Sequence, residues 1–254
     1  MYLRAVHAEF NIPALRRFIH ENPFGLLITS LPNSASNFPT IQATHIPWLI
    51  DVKDQSSETE LGILRGHLAK PNPHAKAMSE ALGQSNGRLK EEVSVMFTGA
   101  AHHYVTPKFY TETKPATGKV VPTWNYSAVQ AYGIATIYWN NKDPATGEFL
   151  QKQISDLSRH SEMEVMGHAK PWSVDDAPES YIELLRKNII GVEVEITRLE
   201  GKWKMSQELV KEGDREGVIQ GFEALDSEVG HKMARTVCER AKLKEEQKAQ
   251  AATS

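Results

Sequence analysis

Val121-Pro122-Thr123-Trp124-Asn125-Tyr126 places two aromatic rings around an amide just after a proline, where the chain enters a strand. Burying such a triplet is costly unless its polar tips find partners, and two readings are open. In one, the triplet is an aromatic corner of a core, the commoner role for Trp and Tyr. In the other, the rings supply stacking faces and the amide a donor and an acceptor, which suits a planar heteroaromatic ligand with polar edges.

Outward from this stretch the hydrophobic period is two. Short β-branched or aromatic runs at 24–29, 41–51, 61–69, 93–98, 129–139 and 192–198 are separated by Gly, Pro, Asn and Ser clusters, the pattern of a closed or nearly closed antiparallel barrel. Glu200-Gly201 reads as a tight turn into a last strand over 202–207. Asn11 is placed to cap a short helix with Leu15, Phe18 and Ile19 on one face, and Pro23 stops it. Three- and four-residue spacing predicts further helices over 74–82, 147–160, 178–188 and 214–225. The tail over 227–250 reads as one amphipathic helix with Val229, Met233, Val237 and Leu243 on its apolar face, and 249–254 are expected to fray. The fold class expected is α+β, mainly antiparallel barrel with covering helices, and no boundary divides it into independent domains.

A chain of 254 residues, 40% hydrophobic and 24% charged, is that of an ordinary soluble globular protein with a sizeable core. A net charge of -3 gives no basic footprint for phosphate, so direct nucleic-acid binding is not expected. The lone Cys238 cannot form an internal disulfide, no apolar run reaches membrane-spanning length, and the first residues lack a signal-peptide core. A cytoplasmic location without membrane contact is the expectation.

Strand alternation over 64–70 puts Arg65 and His67 on one face and Leu64, Gly66 and Leu68 on the other. Gly66 removes bulk where a ligand or another backbone could approach, and Lys70 with Asn72 follows where donors could meet a phosphate. The plain alternative makes Arg65 an ion-pair partner and His67 a satisfied barrel histidine. In the preceding run Gln42 and Thr44 share a face, with His45 beside them and Pro47 ending the pairing. His102 and His103 point to opposite faces of a strand, so no metal centre is expected there. HExxH, GxGxxG, P-loop and paired-cysteine motifs are absent.

Several blocks extend this pattern: Pro23-Phe24-Gly25, Gln42-Ala43-Thr44-His45-Ile46-Pro47, the run from Leu64 to Pro73, Pro171-Trp172-Ser173-Val174, and the run from Gly201 to Gln207. In order and identity, from Met1 to about Leu225, the chain resembles the PaiB-like family of FMN-binding negative transcriptional regulators. The resemblance implies an FMN-binding split β-barrel over 1–225, related to pyridoxamine-phosphate oxidase, with a charged helical tail over 226–254. It implies a homodimer with flavin at the subunit interface. The cofactor-binding residues it implies are Gln42, Thr44, His45, Arg65, His67, Ala69, Lys70, Asn72, Trp124, Asn125 and Tyr126, with Lys204 and Gln207 closing the flavin site from the neighbouring subunit. The chain departs from the compact bacterial pattern in insertions at 33–38 and 54–60 and in the extension after Leu225. A flavin-dependent oxidoreductase or flavin reductase is the first function implied. A flavin-binding regulator acting through a partner is the alternative, with haem binding or breakdown a third.

Overall fold

The computed structural model describes residues 1–31, 37–83 and 85–253, so the insertion expected at 33–38 lies outside them except for its last two residues. Along the chain run β1 (Ala8–Glu9), α1 (Ile12–Glu21), β2 (Phe24–Ser30), β3 (Ile41–Asp51), β4 (Ile63–Ala69), α2 (Pro73–Leu82), β5 (Arg88–Thr98), β6 (His103–Val105), α3 (Thr113–Thr117), β7 (Thr123–Tyr138), α4 (Pro144–His160), α5 (Glu179–Arg186), β8 (Ile189–Lys204), α6 (Glu212–Glu223) and α7 (Glu228–Thr253). Short 3-10 turns lie at Pro107–Phe109 and Val174–Asp176, and a π-helical turn at Ser161–Val165. The chain forms two compact units, one of 11–97 and 130–199, the other of 1–10, 98–129 and 200–254, so β7 and β8 each give one part to each unit.

The first unit is a closed antiparallel barrel with strand order β8-β4-β3-β2-β5-β7, β7 pairing back on β8. Closure depends on Gly133, because a Cβ there would lie 2.2 Å from the carbonyl oxygen of Glu195. Leu27, Trp48, Leu64, Val95, Phe97, Ala135, Val192 and Val194 fill the interior, each following from period-two alternation. Gly66 is small for the sake of this core, since a Cβ there would meet Ile46 and Trp48 at 3.0 Å.

β3 changes partner partway along. Residues 41–47 pair with β2, from Ser30↔Ile41 to Phe24↔Pro47, and pairing with β4 begins at Trp48↔Gly66. Pro47 therefore ends the pairing with β2, as expected, without ending the strand. It sits at the switch, where a missing N–H is tolerated, and the strand runs on to Asp51. β4 in turn pairs with β8 along its whole length, down to Ala69↔Ile189. The first half of β3 and the last residues of β4 thus diverge, and α2 follows β4 directly, packing on β3. The expected loop at 54–60 is clamped by the buried Arg16 of α1, whose guanidinium donates to the carbonyls of Glu60 (2.7 Å), Gln55 (2.9 Å) and Ser57 (2.9 Å).

In the second unit β1 pairs with the end of β8 (Ala8↔Lys202, Glu9↔Gly201) and β6 with the start of β7 (His103↔Asn125). Glu200-Gly201 is thus no turn. β8 is one strand of 16 residues, because the backbone at Gly201 stays extended and β1 takes up its hydrogen-bonding edge. α6 and α7 pack as a helical pair around Phe222, with Phe109 edge-on to Phe222 at 5.6 Å. The tail's buried face is Met233, Ala234, Val237 and Ala241; Val229 and Leu243, expected on it, are exposed. α7 is helical through Thr253, the residue after it lying outside those described. Arg240 of α7 donates to Glu9 at 2.6 Å with its guanidinium 4.1 Å from the Trp203 ring centre, and Lys244 donates to the Gln207 carbonyl. Among the described residues no helix is long and apolar enough to cross a membrane.

Candidate functional site

Where β3 and β4 part, the expected Thr44 and Asn72 are drawn together by a histidine. Asn72 caps α2, its Oδ1 accepting from the His74 N–H at 2.9 Å, and Pro73 occupies the first turn, where its missing N–H costs nothing. This cap inserts His74, almost fully buried, between two strand hydroxyls: Thr44 Oγ1 at 2.9 Å from Nδ1 and Thr29 Oγ1 at 2.9 Å from Nε2. Burial pushes its pKa down to about 4, so the ring is a neutral imidazole bridging two hydroxyls.

Beside this cluster α2 and the ends of β4, β7 and β8 border an open cavity of about 440 Å³ lined by Lys70, Ala75, Lys76, Ser79, Glu80, Trp139, Asn140, Asn141 and Ile190. Lys70 Nζ donates to Asn141 Oδ1 at 2.8 Å, and burial lowers the pKa of its ammonium. Two cationic side chains, an aromatic face and two amides therefore converge. That set offers charge for an anionic group and an aromatic face for a flat, polar-edged ring, with the Glu80 carboxylate in the same lining. Of the residues expected from sequence, Lys70 lies in this cavity; Lys76, Trp139, Asn140 and Asn141 were missed, although Trp139-Asn140-Asn141 repeats the aromatic-amide composition of Trp124-Asn125-Tyr126.

The remaining barrel residues are placed otherwise. Gln42 donates to the Pro39 carbonyl at 2.7 Å. His45 is exposed, stacked on Phe24 with ring centres 5.3 Å apart. Arg65 is 4% exposed and faces α4, donating to Asp51 (2.5 and 2.9 Å), Asp156 (2.7 Å) and Gln153 (3.2 Å). Burial works against its charge, but the carboxylates outweigh it and hold the guanidinium protonated. This arrangement fastens α4 to the barrel and leaves Arg65 few donors for a ligand. His67 shares that face; burial lowers its pKa, and its Nδ1 has no hydrogen-bond partner among the described residues. Ala69 is exposed at the end of β4.

In the second unit, strand alternation separates the opening triplet. Trp124 is half exposed, its Nε1 donating to His102 Nδ1 at 3.3 Å, and Tyr126 lies under the Lys202 ammonium at 5.2 Å. Asn125 points the other way, fully buried, with its Nδ2 donating to Ser206 Oγ at 2.9 Å. The two rings therefore do not flank the amide in one pocket. Lys204 donates to Thr123 Oγ1 and to the Trp124 carbonyl (3.1 Å). Gln207 is buried in its own turn, accepting from the Met205 N–H and donating to the Trp203 carbonyl, both at 2.6 Å.

Comparison with known proteins places this geometry in a lineage. An uncharacterized protein of Aspergillus fumigatus is 55% identical over 262 residues, covering 96% of this chain and 99% of its own. The protease synthase and sporulation protein PAI 2 of Bacillus subtilis is 27% identical over 207 residues, covering 82% of each chain. Among solved structures, a conserved hypothetical protein of Mycobacterium tuberculosis has a TM-score of 0.47 at 12% identity, covering 82% of this chain and 92% of that one. Residues 1–198 match the family model described as "Putative FMN-binding domain", and the chain belongs to that family, the PaiB-like group of split-barrel proteins.

Proposed function

We propose that this protein binds FMN in the cavity between α2 and the ends of β4, β7 and β8, and that it works as a flavin-dependent oxidoreductase. The observation that carries the reading is the convergence of Lys70, Lys76, Trp139, Asn140 and Asn141 on one space of about 440 Å³, within the range of roughly 300–1,000 Å³ that small-molecule sites take. Lys70 and Lys76 supply charge for the phosphate, Trp139 a stacking face, and Asn140 Nδ2 a donor for the polar ring edge, while Asn141, held by Lys70 Nζ and the Lys187 carbonyl, positions Lys70. Bound FMN would supply hydride or single-electron transfer; the chain's part is binding, orientation and exclusion of water. The neutral His74, locked between Thr29 and Thr44, fixes the start of α2 and with it the position of Lys76.

Flavin-free protein titrated with FMN and with riboflavin, followed by flavin fluorescence, tests this. Lys70→Ala and Lys76→Ala should each weaken FMN by about tenfold while leaving riboflavin alone, whereas Trp139→Ala should weaken both. Unchanged FMN affinity in both lysine variants would sink the placement.

A homodimer belongs to the same proposal. The outward face of β2, β3 and β5 presents Phe24, Leu26, Ile28, Ile41, Ala43 and Met96 among the polar Ser30, His45 and Ser94, with Phe24 64% and Ile41 70% exposed, a largely apolar sheet face suited to a second copy. A second reading, regulation through a protein partner, is favoured by the exposed Met163, Val165, Met166, Trp172, Leu184 and Leu185, while the net charge of -3 disfavours duplex contact. A gel shift that does not form even at low salt speaks against direct DNA binding.

A further inference from the structure

We infer that His20, His160 and Glu164 form a binding site for a zinc-class divalent cation where two helices of the barrel unit end together. His20 lies in the last turn of α1, and His160 closes α4, which runs on into the π-helical turn Ser161–Val165 carrying Glu164. Glu164 Oε2 is 3.2 Å from His20 Nε2 and 3.5 Å from His160 Nδ1, and one ligand atom from each residue lies within 4.8 Å of the others. Two ligands bound to tetrahedral zinc at about 2.0–2.1 Å stand about 3.4 Å apart. The carboxylate thus already holds ligand spacing to both imidazoles.

Electrostatics and local backbone agree with this. Both helices bring their C-terminal ends here, and the negative end of the helix dipole favours a cation. The π turn, closed by the Met166 N–H on the Ser161 carbonyl at 2.9 Å, is a widening of the helix found mostly at functional positions. Two imidazoles and one carboxylate are the donor set that zinc and ferrous iron take with positions left open. Solvent can supply the completing water, because the side chains of His20 and Glu164 are about half exposed. No sequence spacing links His20 to the other two, which lie some 140 residues along the chain and are joined to it only by the fold.

The test uses the full-length protein, stripped with chelator, incubated with Zn²⁺ or Co²⁺ alone and desalted. Wild type should retain one equivalent of zinc per chain, melt at higher temperature with zinc present, and show the intense visible bands of four-coordinate cobalt. Glu164→Gln and His20→Asn change half-exposed side chains and should fold normally, yet each should lose about tenfold or more in zinc affinity, along with the cobalt bands. Metal retention by these variants equal to wild type overturns the site. So does a wild type that keeps no zinc and melts at the same temperature with and without it.

Discussion

Asn125 and Ser206 hold each other in the second unit, and Ser206 does so in a left-handed backbone conformation with φ 61°. A non-glycine residue there carries strain, which the buried bond offsets. Asn125→Ala strands the serine hydroxyl and Ser206→Gly strands the buried Asn125 amide, so each should cost about 1–3 kcal/mol, the second offset in part by relief of the backbone. Urea midpoints of the two variants decide the order. His74 is a second residue whose state reads out in solution. Its folded pKa of about 4 lies below its ordinary 6.5, so the unfolded chain binds more protons between those values. Stability is therefore full above pH 6.5 and falls as pH drops toward 4, by up to about 3 kcal/mol. His74→Gln should flatten the urea midpoint between pH 7 and pH 4.5; an unchanged slope would assign the loss to other groups. His74 was out of reach of periodicity, which finds apolar faces and not a polar side chain sealed between two threonines. The triplet at 124–126 was conspicuous in sequence for its composition, but alternation sends its amide inward and its rings outward.

At the scale of elements, the Arg65 clamp makes α4 part of the barrel wall. Burial alone would raise the pKa of Asp156, but its bonds with Lys152 and Arg65 hold it below the usual carboxylate range. Arg65→Ala should lower stability by about 2 kcal/mol, while both carboxylates, already partly exposed, rehydrate. Hydrogen exchange in 144–160 should quicken in that variant, and unaltered exchange would show that α4 is held by other contacts. Most strands and helices were legible in sequence, β3 and α1 nearly residue for residue, because alternation, caps and prolines are local signals. Pro47 ends the pairing with β2 as expected, but Glu200-Gly201 was misread. Turn chemistry describes a residue's own preferences, and the partner strand that makes an extended glycine acceptable lies far off in the chain. The tail's apolar face was legible at Met233 and Val237 but not at its ends, where Ala234 and Ala241 are buried and Val229 and Leu243 are exposed. Removing α7 after Leu225 should strip cover from Val218 and Phe222 and cost about 4 kcal/mol, while FMN affinity of the folded remainder stays unchanged.

For the whole molecule, sedimentation should report twice 28.4 kDa, and replacing Phe24 and Ile28 together by lysine should give monomer; a dimer that survives this pair uses another face. Each compact unit is assembled from segments far apart in sequence, and β7 and β8 serve both. A ribosome delivers these segments in order. The barrel gains its last strand only when residues 189–199 emerge, and the other unit waits for 200–254, so neither can close before β8 has been made. Until then the nascent chain exposes hydrophobic strands such as β2 and β5 with open edges, and slow translation of the codons between β5 and β8 would prolong that exposure.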